Sequence, residues 1–254
     1  WVGRQLILMR NLFKKMMDKI EKIFFHLKNQ ILKITQKISN LLNKEQVDVI
    51  IPVFNAKDYV DKCLETIFIS RSNYFINLLI INDGSDQETK EVLDKYCSNK
   101  RVKINVIHNS KNIGYIESVN IGIRASRAKY VVIANSDILV VDYWVDRLIR
   151  GVLSNKRVGI VGPLTQAGSF QSIPYVFASS GGLAINKIPF GMDHIKFDNL
   201  IEKYSLNINP EINIINGFCH LITRKLIEEI GLLDEKNFQR GYCEEVDYSI
   251  RALS

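Results

Sequence analysis

The sequence predicts an α/β domain, a mostly parallel sheet with helices on both faces, preceded by one long amphipathic N-terminal helix. Three observations predict it. From Val47 onward, short runs rich in β-branched residues alternate with stretches of helical periodicity, the pattern of parallel strands joined by crossover helices. Residues 4–44 contain neither Gly nor Pro and repeat apolar residues at steps of four and three. Hydrophobic residues make up 46% of the 254, enough to fill the core of one such domain.

The N-terminal pattern runs through Phe13, Met17, Ile20, Phe24, Leu27, Ile31, Ile34, Ile38 and Leu41, a heptad seam on a helix. Lys14, Lys15, Lys19, Lys22, Lys28, Lys33 and Lys37 give the remaining faces a basic character. Three uses fit: self-association as a coiled coil, peripheral contact with an anionic membrane, or docking onto the chain's own domain. Residues 1–46 carry ten Lys/Arg against three Asp/Glu. Of the 34 basic and 27 acidic residues, 24 of each therefore lie beyond, and the main domain, 47–254, is formally neutral. The net charge of +7 thus belongs to the N-terminal segment, and a groove for nucleic acid is not indicated.

Cys63, Cys97, Cys219 and Cys243 are scattered without a C-x-x-C pair, which argues against a disulfide framework or structural zinc and for a reducing, cytoplasmic location. No stretch approaches 18 apolar residues and no signal peptide is evident. Peripheral association with the inner face of the membrane is the remaining membrane expectation. The chain opens on Trp1, which predicts a fragment.

Element by element, Val47 to Val53 reads as a strand, Asp58 to Ile69 as a helix, Ile76 to Ile81 as a strand and Asp86 to Tyr96 as a helix. Val102 to Ile107 follows as a strand, Gly114 to Ala125 as a helix, Tyr130 to Ala134 as a strand, Tyr143 to Leu153 as a helix and Val158 to Val161 as a strand. Residues 163–210, rich in Gly, Ser, Pro and Asn, read as a long loop over one end of the sheet. Ligands of a doubly wound sheet bind beyond the carboxyl ends of its strands. Yet no G-x-G-x-x-G follows the first strand and no P-loop occurs, so the usual phosphate turns are missing. The strand ends carry polar and acidic residues instead: Asn55 after the first, Asn82-Asp83-Gly84-Ser85 after the second and Asn135-Ser136-Asp137 after the fourth.

Taken in order, VIIPVFN (49–55), NDGS (82–85), NSKNIGYIESVNIG (109–122), NSD (135–137), NGFC (216–219) and GYCEEVDYSIR (241–251) resemble family 2 glycosyltransferases of the GT-A fold, a Rossmann-like architecture. The resemblance runs from about Val47 to the C-terminus. It implies that Pro52, Val53, Asn55 and Asp83 hold the base and ribose of a nucleotide sugar, a carboxylate accepting from a base N–H or sugar hydroxyl. Asn112, Gly114 and Asn120 would belong to the same donor site, Gly114 opening a helix whose N–H groups could face the ligand. Asn135 and Asp137 stand where the family carries D-x-D, so Asp137 would ligate Mg²⁺ or Mn²⁺, the hard cations that offset charge on a diphosphate leaving group. Asn in the first position departs from that pattern and removes one charge. Glu245 is implied as the base that takes the acceptor's proton, with Glu244, Asp247, Asn216 and Gly217 in support. The tract from Gly162 to Pro174 is similar to the acceptor side of one branch of the family.

Each motif alone has a plainer reading: an Asx-turn at Asp83, a helix cap at Asp137, an acidic helix start at Glu244 to Asp247. Arg251, one turn beyond Asp247, suits an ion pair with it, and His108 and His220 suit structural roles. The implied activity is inverting transfer of a hexosyl or deoxyhexosyl unit from a UDP- or dTDP-sugar to a glycan or lipid-linked acceptor in cell-surface polysaccharide synthesis. The rivals are a nucleotidyltransferase, which would need a basic Gly-rich loop after the first strand, and a non-catalytic sugar-nucleotide-binding or scaffold protein. The resemblance also implies a chain truncated after Ser254.

Overall fold

The computed structural model describes residues 45–98, 102–238 and 241–254, together with Lys19, Lys22, residues 26–28, Gln30 and Ile31. The chain divides into two compact units, residues 1–44 and 45–254. The few described residues of the first unit are helical and exposed, Leu27 and Ile31 of the apolar seam among them. The rest of the expected N-terminal helix lies outside the described residues.

In the second unit β1 (Gln46–Val53), β2 (Phe75–Asn82), β3 (Lys103–His108) and β4 (Tyr130–Ala134) are parallel, in the order β3-β2-β1-β4. Their connections are α1 (Lys57–Ile69), α2 (Gln87–Cys97) and α3 (Tyr115–Ala125). α4 (Trp144–Leu153) leads to β5 (Ile160–Val161), α5 (His194–Tyr204), β6 (Cys219–Thr223), α6 (Arg224–Ile230) and α7 (Glu244–Leu253). β6 enters next to β4 but antiparallel to it, and β5 pairs antiparallel with β6 at the edge.

Side-chain alternation along the central strands builds two cores, because successive residues of a strand face opposite sides of the sheet. Val47, Val49, Ile51 and Val53 meet α1, α2 and α4 on one face, whereas Ile50 meets α3 on the other. The contact with α3 depends on Gly122, where a Cβ would stand 2.4 Å from the Ile50 side chain. Beneath the sheet's amino end, buried Asp48 accepts from Ser126, Asn77 and Gln46 side chains, which pull its pKa below the usual carboxylate range despite burial.

The expected mostly parallel sheet is present; one expectation is corrected, and one strand was not foreseen. Residues 163–210 are not all loop: Asp193 caps α5 by accepting from the Lys196 N–H, and Arg147 of α4 holds the helix through Asp198 and Glu202. None of the residues of α5 is fully buried, so its apolar stripe was weak. The sheet also acquires an antiparallel strand, β6, five residues long, too short to show whether it pairs up or down.

Candidate active site

A cleft of about 1180 Å³ opens at the carboxyl ends of β1, β2 and β4, closed on the far side by residues 216–218 and the start of α7. Pro52 and Val53 of β1, Asp83, Asn112, Gly114, Asn135, Asp137, Asn216, Gly217, Glu244 and Glu245 all line it. Motifs separated by up to about 190 residues thus share one cavity, as strand ends of an α/β sheet allow.

The loops after β1 and β2 are knitted together. Ser85 Oγ accepts from the Asn55 N–H at 3.0 Å, and Asn55 Oδ1 accepts from the Asp86 N–H at 2.8 Å. Gly84, at φ +71°, could hold no side chain, since a Cβ would lie 2.6 Å from the Asn112 nitrogen. That close approach brings the 109–114 loop onto Asp83. The buried Asp83 carboxylate accepts from Asn109 Nδ2, the Ile113 N–H and the Gly114 N–H, each at 2.9 Å. The helix-start N–H of Gly114 is therefore spent on Asp83 and does not face the cleft unpaired. Asp83 borders the cavity and at the same time holds the loop that forms its wall.

Two expected ligand contacts lie elsewhere. Asn55 does not line the cleft, its side chain being used to join the two loops. Asn120 is fully buried: its amide donates to Leu233 O and Glu235 Oε2 and accepts from the Leu233 N–H. It bolts α3 to the segment after α6, because an amide can satisfy both polarities of an otherwise orphaned backbone. Asp247 also stands outside the cleft, paired with Arg251 at 2.8 Å, while Arg251 donates to Ile230 O and Leu232 O. This pair fixes α7 to the body of the domain.

Asp137 is exposed to the cleft, and its carboxylate has no hydrogen-bond or ion-pair partner among the described residues. No group of three His, Cys, Asp or Glu able to hold an ion occurs among the described residues. One hard carboxylate, with diphosphate oxygens and water completing the shell, fits Mg²⁺ or Mn²⁺, which keep several waters, and does not fit a cation needing a full protein cage.

At the start of α7, Glu244 is only 6% exposed and Glu245 half-buried, and Oε2 of each is buried without a hydrogen-bond partner among the described residues. Burial, offset by backbone N–H groups and reinforced by the Glu245 charge, raises the Glu244 pKa above 4.5. Glu245 lies against Gly217, whose Cβ position is 3.6 Å from that side chain. Ser249 Oγ donates to Glu245 O and accepts from the Ile215 N–H, which ties α7 to the strand-entry segment. Two such carboxylate oxygens in a desolvated wall are able to accept a hydrogen bond or a proton from a group that enters the cleft.

Sequence reasoning gave no role to Tyr59, Tyr115, Phe218 and Tyr242, which with Phe54 are the aromatic residues of the lining. Tyr115 is pushed upward in pKa by burial and by Glu244 and Glu245. Its place between Gly114 and the helix gave a signal of position only. His220 is buried with its pKa lowered to about 4, and His108 Nδ1 meets Asn82 Nδ2 at 2.9 Å; neither lines the cleft.

The family model for Glycosyl transferase family 2 matches residues 48–231. An uncharacterized glycosyltransferase of Haemophilus influenzae is 30% identical over 117 residues, 46% of this chain and 35% of that protein. Chondroitin synthase of Pasteurella multocida is 24% identical over 225 residues, 82% of this chain and 23% of that protein. The chain spans well under half the length of these relatives. Among solved structures, mannosyltransferase PcManGT from Pyrobaculum calidifontis, in complex with GDP-Man and Mn²⁺, superposes with a TM-score of 0.55 at 16% identity, over 81% of this chain and 51% of that one. That likeness concerns the fold; the family match covers the strands, the Asp83 and Asp137 turns and residues 216–218 of the cleft, and ends before α7. The chain belongs to Glycosyl transferase family 2.

Proposed function

We propose that this chain is an inverting, metal-assisted glycosyltransferase that moves a hexosyl or deoxyhexosyl unit from a UDP- or dTDP-sugar to a hydroxyl of a glycan or lipid-linked acceptor, in cell-surface polysaccharide synthesis. The observation that carries this reading is the meeting of Asp83, Asp137 and Glu245 in one cleft of about 1180 Å³. The polysaccharide role draws support from relatives such as chondroitin synthase.

Pro52, Val53 and the Asp83 turn border the end of the cleft that would take the nucleotide. Asp137, with Asn135 beside it, would hold the divalent ion, which when bound offsets charge on the departing diphosphate. Glu245 accepts the proton of the acceptor hydroxyl as that oxygen bonds to the anomeric carbon. The bond from that carbon to the diphosphate oxygen breaks on the opposite face, its electron pair leaving with the nucleotide, and configuration inverts. Glu244 and Gly217 shape the wall that holds Glu245 in place.

Residues 1–46 would add self-association or contact with an anionic membrane. The test of the whole reading is thermal stabilisation by UDP, dTDP and GDP with and without Mn²⁺, followed by hydrolysis of the corresponding sugar nucleotides. Metal-dependent stabilisation by a nucleoside diphosphate is expected; none with any of the three would overturn it.

A further inference from the structure

We infer that Tyr242 is the platform on which the acceptor's terminal pyranose ring stacks, so that the acceptor is a glycan and not a bare lipid or polyol alcohol. The inference deepens the reading above and rests on Glu245 being the base. It begins with backbone conformation. Gly241, Tyr242 and Cys243 are three successive left-handed residues, at φ +78°, +69° and +70°. Such a conformation is unstrained for glycine and strained for a residue carrying a Cβ. The Tyr242 N–H donates to the Glu244 carboxylate, but the side chain offsets nothing within the fold: the residue is 87% exposed, and its ring makes no hydrogen bond, ion pair or ring contact with the described residues. Strain of this kind gathers where a side chain is used on a ligand.

Position decides which ligand. Tyr242 lines the same cleft as Glu244 and Glu245 and stands two residues before that pair. Beside it the turn faces open space, since a Cβ on Gly241 would meet nothing within 4 Å. The base must touch the attacking hydroxyl, so the rest of the acceptor's terminal residue extends from Glu245 toward solvent, past Tyr242. A flat, rigid ring there matches the C–H face of a pyranose, giving a large contact for little lost side-chain freedom. Phe54 and Tyr59, also exposed in the cleft, sit instead at the end of β1 and on α1, beside the Asp83 turn. They flank the nucleotide end, and Tyr115 and Phe218, the other aromatic residues of the lining, are part-buried in the wall, Tyr115 Oη donating to Gly217 O; Tyr242 is the exposed aromatic residue beside Glu244 and Glu245.

The experiment is saturation-transfer NMR of the whole chain with a panel of methyl hexopyranosides and deoxyhexopyranosides, with glycerol 1-phosphate and a short prenyl phosphate as controls. It is run with and without UDP and Mn²⁺, on wild type, Tyr242→Phe, Tyr242→Ala and Tyr242→Gly. The expected result is transfer to ring C–H protons of at least one pyranoside, kept by Tyr242→Phe and weakened about tenfold in the Ala and Gly variants. UDP affinity should not change. Tyr242→Gly, which removes the backbone strain, should melt at or above wild type; a residue present only for stability would lower it. The inference is overturned if the Ala and Gly variants bind pyranosides as wild type does, if no pyranoside binds, or if their UDP affinity falls, which would move Tyr242 to the donor side. Should UDP, dTDP and GDP all fail to bind wild type, the functional reading falls, while the arm without nucleotide still decides the role of Tyr242.

Discussion

Asp83→Ala tests whether the acidic turn after β2 acts on the ligand alone or builds the wall of the cleft. The carboxylate accepts three hydrogen bonds at 2.9 Å from a single loop. A hydrogen bond to a charged acceptor contributes about 1.5 to 3 kcal/mol. The Ile113 and Gly114 N–H groups border a cleft that water can enter, so the freed donors recover part of that, and the net loss should be about 3 kcal/mol. Asp83→Asn keeps one acceptor oxygen but turns an NH₂ toward a backbone N–H, and should cost roughly half as much on the same scale. Urea unfolding followed by circular dichroism gives both values, provided the slope with denaturant is unchanged. Nucleoside diphosphate affinity, measured by calorimetry, should fall in parallel, because the released 109–114 loop supplies Asn112 and Gly114 to the cavity. If Asp83→Ala loses nucleotide binding while unfolding within about 0.5 kcal/mol of wild type, the usual spread for a neutral surface change, the loop-clamp reasoning is refuted and Asp83 acts on the ligand directly.

Glu245→Gln should reduce sugar transfer by about 10² to 10⁴ while sparing nucleotide affinity; near wild-type transfer would reassign the base to Glu244. Asp137→Ala should abolish the Mn²⁺-dependent part of nucleotide stabilisation and leave the melting temperature of the free protein unchanged, since its carboxylate has no partner among the described residues; full transfer in EDTA would sink this. The raised pKa of Glu244 means the folded chain keeps this proton to higher pH than the unfolded chain does, so its contribution to stability declines as pH rises above 4.5. Glu244→Gln, which has no such titration, should therefore gain in melting temperature over wild type between pH 4 and 8, and an equal difference at both pH values contradicts it. Deletion of residues 1–46 should abolish self-association or binding to anionic vesicles, read by light scattering and vesicle co-sedimentation; a full chain that is monomeric and ignores vesicles removes both roles.

The strands and helices from β1 to α4 were legible because each buries a regular stripe. Val49 and Ile51 alternate with Ile50, and α3 places Ile116, Val119 and Ile123 on one side. Where burial is weak the pattern fails, as in α5, or where an element is short, as in β6; β5 was legible but is only two residues long. The site was legible in outline because its motifs stand at strand ends, where the topology must gather them. Asn120 was misread for a reason of geometry: α3 turns Gly114 toward the cleft and Asn120, nearly two turns later, toward Leu233. Residue type alone says that an amide will find partners, not which ones.

The sequence by itself determined the family, the α/β class, the order of the elements from β1 to β5 and the acidic residues at the ends of β2 and β4 and at the start of α7, since these follow from local periodicity and the order of short motifs. Tertiary structure alone decided that β6 runs antiparallel beside β4, that Asp83 spends its carboxylate on the 109–114 loop, and that Tyr242, at positive φ, exposes its side chain beside Glu244 and Glu245. Each of these depends on which distant segment comes within hydrogen-bond or contact distance. That is fixed by packing of the whole sheet, and no local stretch of sequence encodes it.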